Sequence, residues 1–252
     1  MLSELGIGVI VFACVFGGAL GGTFIREALP KHHLTSETES AIKLGTGVIA
    51  TMSALVVGLL LASAKSSFDT RNAELNELWS NVILIDHQLA HYGPETREAR
   101  DLLRRYAALK IDAIWRSEAS QPVTDASTWV LLEDVQDRLR ALAPQNDAQR
   151  WLKDKALEVS SDVARIRWLL REQSEGTLPM PFLLFLVLWL TVIFMSFGLF
   201  APRNTTVIVA LFVCSLSVAG AVFLILELDQ PFAGLIRISS APAHDALADL
   251  GH

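Results

Sequence analysis

The chain has 252 residues, 52% of them hydrophobic and only 19% charged, with a formal net charge of −6. A net acidic chain argues against nucleic acid as a partner, which calls for a basic surface. Both cysteines, Cys14 and Cys214, fall inside apolar stretches, so no disulfide framework is implied.

In chain order, residues 5–25, 44–64, 182–200 and 205–226 carry no charged side chain. At about 1.5 Å rise per residue, each stretch covers about 30 Å, the thickness of a bilayer core. A soluble helix is rarely apolar on every face for that long. These stretches predict an all-α integral membrane protein with four transmembrane helices in two hairpins, 1–64 and 179–226. The first stretch is preceded by Glu4 and by no Lys or Arg, unlike a signal peptide. None of the four holds an ionisable residue at mid-span, as a proton-coupled transporter usually does.

The first stretch carries Gly17, Gly18, Gly21 and Gly22, two overlapping GxxxG pairs that let helices approach closely. Packing within the chain accounts for them most simply, and a subunit contact is the alternative. In the loop after this stretch, His32 and His33 say little. Ser36 with Glu39 has the spacing of a capping box, which would start the second helix before the bilayer. That helix carries Thr46, Ala50, Ala54, Gly58 and Ala62 at four-residue spacing, a small-residue strip suited to tight packing. Beside it run Thr51, Leu55 and Leu59. Repeated around a symmetry axis, such a row could make a hydrophobic constriction that gates by dewetting; by pattern alone a lipid-facing stripe is the preferred reading.

Residues 65–178 hold most of the charge and read as a helical domain. No Gly or Pro lies between Leu59 and Tyr92, so the second span is expected to continue into the domain as one helix. Leu75, Leu78, Val82, Ile85 and Leu89 recur at 3–4 spacing, as do Leu152, Ala156, Val159, Val163, Ile166 and Leu170. Gly93-Pro94 ends the first domain helix, and further helices are expected at 95–118 and 127–143. Pro144 and Asn146-Asp147 open the last one. His87 and His91, with Asp86 adjacent, could offer two imidazoles to a metal. No further ligand pair has a telling spacing, so a solvated face is preferred and no metal or cofactor is expected. Arg97, Arg100, Arg104 and Arg105 interleave with Glu95, Glu98 and Asp101, which suggests pairing along one helix rather than an anion funnel. No catalytic triad, phosphate loop, dinucleotide fingerprint or zinc signature occurs, so no enzyme is expected and no catalytic residue is assigned.

Three segments carry a family resemblance: SAKSSFDTRNAELNELW (63–79), DHQLAHYGPETREARDLLRRY (86–106) and ELDQPFAGLIRISSAPAHDAL (227–247). They resemble a bestrophin-like family of bacterial membrane proteins, distantly similar to the bestrophin anion channels. The resemblance implies a pentamer with four spans per subunit and a helical cytoplasmic domain between the second and third. It also implies a pore lined by the second helix. Thr51, Leu55 and Leu59 near Gly58 look like the pore neck. Phe68, Asp69, Arg71, Glu74, Leu78 and Trp79 look like the segment next to it. Thr70 is an extra residue between Asp69 and Arg71, and one added residue rotates the rest of the helix by about 100°. Glu227, Asp229, Pro231, Phe232 and Gly234 look like the acid-Pro-Phe-Gly element after the last span, with Ala233 inserted. The acidic run found after this element in calcium-regulated members is missing, so no calcium clasp is expected.

The tail, 227–252, is expected to pack on the domain. Glu227 and Asp229 would lie at the interface, met by water or an arginine, since deeper burial costs several kcal/mol each. Pro231 would stop the helix, Phe232 would anchor the turn, and Ser240 would cap a short helix over 241–250. Near-membrane basic residues on the domain side (Lys65, Arg71, Arg165, Arg167, Arg171, Arg237) outnumber those opposite (Arg26, Lys31, Lys43, Arg203). The domain and both termini are therefore placed in the cytoplasm, and the chain in the bacterial inner membrane. The reading is a homo-oligomeric passive channel for small ions in the lipid bilayer, anions before cations. The alternative is a non-conducting membrane scaffold or stress-related accessory protein that binds partners through its cytoplasmic helices.

Overall fold

The structure is a computed structural model that describes residues 4–28, 30, 35–115, 125–172, 180–202, 204–232 and 234–250. All its regular elements are helical: α1 Glu4–Ala28, α2 Ser36–Tyr92, α3 Arg97–Trp115, α4 Asp125–Ala141, α5 Asp147–Glu172, α6 Met180–Phe200, α7 Thr205–Asp229 and α8 Ala241–Asp249. Among the described residues, α1, α2, α6 and α7 are long and apolar enough to cross a membrane. The chain clusters into two compact units, one formed by 1–68 and 176–236, the other by 69–175 and 237–252. The first division falls at Phe68 rather than at residue 64, because Phe68 packs with Ala64, Ile225 and Leu228. The tail divides as well: 227–236 belongs with the apolar helices.

In the apolar unit, Val11, Val15 and Ala19 of α1 meet Leu186, Leu190, Ile193 and Phe194 of α6 and Leu211, Ala219 and Val222 of α7. Phe12, Phe16 and Phe212 form an aromatic cluster with centroids 5.3–5.6 Å apart. Helices α1 and α6 touch backbone to backbone. A Cβ at Gly22 would run into the Met195 carbonyl, and one at Gly198 into the Ala19 carbonyl. Between α6 and α7, the Asn204 side chain accepts the Val207 amide at 2.8 Å, which caps α7.

At the start of α2 the cap is Thr35, one residue earlier than the Ser36–Glu39 spacing suggests. The Thr35 hydroxyl accepts the Thr38 amide at 3.3 Å and its carbonyl accepts the Glu39 amide at 2.9 Å. Glu39 turns instead to Lys43. His32 and His33 lie outside the described residues, as do Lys31 and Arg203. Helix α2 then runs unbroken for 57 residues, about 85 Å at 1.5 Å per residue.

In the second unit, the α2 positions Leu75, Leu78, Val82, Ile85 and Leu89 are all buried. Leu78, Val82, Ile85 and Leu89 pack with Leu103 and Tyr106 of α3, Leu132 and Val135 of α4, and Val159, Val163 and Ile166 of α5. Gly93, at φ 140°, ends α2, and a 3-10 turn over Pro94–Thr96 replaces the expected helical start at 95. There the Thr96 hydroxyl donates to the Leu89 carbonyl at 2.6 Å. The helix expected at 127–143 starts and ends two residues earlier. Asn146 caps α5 by accepting the Gln149 amide at 2.8 Å. Ala243 and Ala246 of α8, with Leu250, join this core, and the Trp115 indole donates to the Ile238 carbonyl at 3.0 Å. Ser240 does not cap α8 with its side chain; the Ala241 amide donates to the Ser239 hydroxyl at 3.2 Å.

Candidate functional site

Two features of the apolar unit bear on function: one face of α2 and the turn after α7. The apolar window of α2 is 11% buried, against 33% for α1 and 28% for α6 and α7. Its covered side is Thr46, Ser53 and Ala64, with Ala50, Val56, Val57 and Leu60 half-buried against neighbouring helices. Thr51, Leu55 and Leu59 are each two residues from Ser53 or Val57, about 200° around the helix. They point away from the unit, Leu55 64% and Leu59 62% exposed. The Thr51 hydroxyl donates to the Gly47 carbonyl at 2.9 Å. Its polar end is thereby satisfied on its own helix, so Thr51 can serve as an apolar surface in this row.

The small-residue strip does not pack along its length within the chain. Four residues of α-helix turn 400°, so the strip drifts about 40° per step. Thr46 is buried and Ala50 half-buried, but Ala54, Gly58 and Ala62 are exposed, and a Cβ at Gly58 would meet nothing. In α1 the two glycine pairs separate. Gly18 and Gly22 lie against Thr191 and Met195 of α6, whereas Gly17 and Gly21 face open space.

At the end of α7, Glu227 is 3% exposed. Its carboxylate accepts the amides of Leu235 at 2.7 Å and Ile236 at 3.2 Å. The turn that brings those amides back needs Gly234 at φ 84°. A Cβ there would collide with the Glu227 carboxylate. Pro231 is buried and α7 stops at Asp229. Asp229 is half-buried, and Phe232 is 37% exposed. Ala233 lies outside the described residues.

In the segment after the apolar window, Phe68 has Lys65 Nζ 5.7 Å from its ring centroid. Asp69 and Thr70 are exposed, Arg71 is buried and Glu74 half-buried. Trp79 is buried, its ring 6.4 Å from that of Trp115. The extra Thr70 is absorbed as an ordinary exposed position in an unbroken helix. The arginines of α3 have a partner off their own helix. Arg100 grips Asp86 of α2 through two hydrogen bonds of 2.8 Å, and that contact raises the guanidinium pKa further. Glu98 pairs with Arg138 of α4 at 2.7 Å; Arg97, Arg104 and Arg105 are exposed. Asp86 is thus committed, His87 and His91 are exposed, and among the described residues no three His, Cys, Asp or Glu cluster to hold a metal. Sequence reasoning missed the Asp86–Arg100 pair and the Gly198 contact. Each joins residues of different helices, with no local spacing to signal it.

Four helices long and apolar enough to cross a membrane, the second of them bare on one face, define the class as helical membrane proteins. A Bestrophin-like domain model matches residues 13–243, and the chain belongs to the Bestrophin-like family. Its fold is similar to that of a bacterial bestrophin homologue from Klebsiella pneumoniae, with a TM-score of 0.69 at 13% identity over 94% of this chain and 96% of that one. A crystal structure of a membrane protein variant is similar at a TM-score of 0.70 and 14% identity, over 96% of this chain and 97% of that one. No curated protein matches the chain.

Proposed function

We propose that the chain is one subunit of a homo-oligomeric, passive ion channel whose pore is lined by α2, with Thr51, Leu55 and Leu59 forming its neck. The carrying observation is the bare face of α2 in a chain of bestrophin fold. Two α1 glycines, Gly17 and Gly21, and three of the α2 strip, Ala54, Gly58 and Ala62, are likewise uncovered and suit contacts between subunits. A pentamer in the bacterial inner membrane is inferred from the likeness to bestrophins. In this arrangement α1, α2, α6 and α7 cross the bilayer as two hairpins, with both termini and residues 65–178 cytoplasmic. Anions are favoured over cations, since α2 has Lys43 and Lys65 but no carboxylate between Glu39 and Asp69. The protein acts without cofactor and catalyses no reaction.

The test is ion flux from liposomes holding the purified protein, under chloride and then potassium gradients. Protein-dependent chloride flux exceeding potassium flux is expected. A folded oligomer that passes neither ion sinks the channel reading. In that case the exposed Trp151 and Trp168 of α5, each 64% exposed, favour a scaffold that binds a partner through its helical unit.

A further inference from the structure

A cavity of about 310 Å³ opens between the first turns of α2 and the last turn of α6, walled by Ile42, Lys43, Thr46, Ser196, Phe197 and Phe200. Such a volume suits a small-molecule ligand. Gly47 also lines it, and no atom lies within reach of a Cβ placed there. The wall is apolar except for two hydroxyls and one ammonium. Thr51, Thr191, Ser215 and Ser217 each return their hydroxyl to their own helix. Thr46, only 9% exposed, and Ser196 do not, and among the described residues neither has a hydrogen-bond partner. A hydroxyl on the wall of an apolar cavity, with no partner among the described residues, is free to take a polar ligand atom.

Position and charge narrow the ligand. Lys43 immediately precedes the apolar run of α2 and Arg26 comes immediately after that of α1. Arg26 donates to the Ala201 carbonyl at 2.6 Å, and Ala201 also lines the cavity. This places two cations beside a cavity at the end of the apolar helices, at headgroup level if those helices cross the bilayer. Lys43 is paired with Glu39 in an exposed i,i+4 contact. Pairs of that kind are weak and exchange readily for a better anion. We propose that this cavity is a headgroup site for an anionic phospholipid, its phosphate on Lys43 and the Thr46 hydroxyl and its acyl chain along Ile42, Phe197 and Phe200. The proposal rests on the four-span reading but not on conduction.

The test is lipid retention and thermal unfolding of the full-length protein, delipidated in detergent. Separate samples receive phosphatidylglycerol, phosphatidylcholine of the same chains, or inorganic phosphate. Retention of phosphatidylglycerol with a rise in melting temperature is expected, with little effect of the other two. Lys43→Gln with Thr46→Val should weaken retention about tenfold, the scale of losing a charge-assisted phosphate contact. Gly47→Leu, which adds bulk at a residue lining the cavity and leaves both ligating groups in place, should abolish the selectivity. Far-UV circular dichroism and the lipid-free melting temperature should stay as in the wild type. Equal stabilisation by both lipids, or by inorganic phosphate alone, overturns the proposal. So does phosphatidylglycerol selectivity that survives in both variants, or a Gly47→Leu effect confined to subunit number, which would mark the cavity as a contact between copies.

Discussion

At the scale of single residues, Glu227 and Gly234 depend on each other. The carboxylate is buried because two amides compensate its lost hydration, and those amides reach it only through the left-handed glycine. Gly234→Ala should cost about 2 kcal/mol or more, from the unfavourable φ and the clash with Glu227 together. Glu227→Ala should cost about 2–3 kcal/mol by leaving two amides unpaired, while Glu227→Gln, which keeps an acceptor, should cost less. Thermal unfolding in detergent ranks the three. If Glu227→Ala unfolds no earlier than Glu227→Gln, the turn is an ordinary interfacial stop. The sequence marked this element through its acid, Pro and Gly, but it pointed to water or an arginine as the partner. Backbone amides eight and nine residues on leave no trace in residue types.

Tyr92 is a second residue whose environment has a measurable consequence. Its phenol is buried and, among the described residues, has no hydrogen-bond partner. Burial, and then the nearby charge of Glu95, push its pKa above the ordinary value, which is about 10. The folded chain therefore holds that proton more tightly than the unfolded chain. This contribution is fully present below about pH 10 and is lost as pH rises past that value and the unfolded chain ionises first. Chemical unfolding at pH 9 and at pH 10.5 should show the fall. Tyr92→Phe should remove this part of the pH dependence and, with no hydrogen bond to lose, cost little stability at neutral pH.

At the scale of elements, the long apolar helices and the domain helices were legible because each is long and regular in its apolar pattern. The period of Leu75, Leu78, Val82, Ile85 and Leu89 gave the buried face of α2 directly. Helix ends were less legible, because a hydroxyl or a left-handed glycine can move a boundary by a residue or two, as Thr35 and Gly93 do. Contacts between distant helices were not legible at all. Asp86 and Arg100 form one: the Asp86 side chain is 2% exposed and the Arg100 side chain 20%. Removing one partner of a pair so buried typically costs about 3 kcal/mol or more. Arg100→Ala should therefore lower the melting temperature of the helical unit far more than Arg104→Ala, whose side chain is exposed. Similarly, Gly198→Val should break the close approach of α1 and α6, whereas Gly17→Val meets nothing within the chain and should leave that approach intact.

At the scale of the whole molecule, the central claim is that the bare face of α2 meets ions rather than lipid. The row Thr51, Leu55 and Leu59 was visible in the sequence, but by pattern alone such a row reads first as a lipid-facing stripe. Exposure in one chain does not separate the two, since Leu184 of α6 is 67% exposed and Leu59 62%. The most direct measurement compares chloride flux through liposomes bearing the wild type, Leu59→Ala and Leu184→Ala at equal protein content. If α2 lines the pore, Leu59→Ala widens or wets the neck and raises flux, while Leu184→Ala leaves it at the wild-type level. Flux unchanged by Leu59→Ala, or raised alike by both substitutions, would contradict the claim.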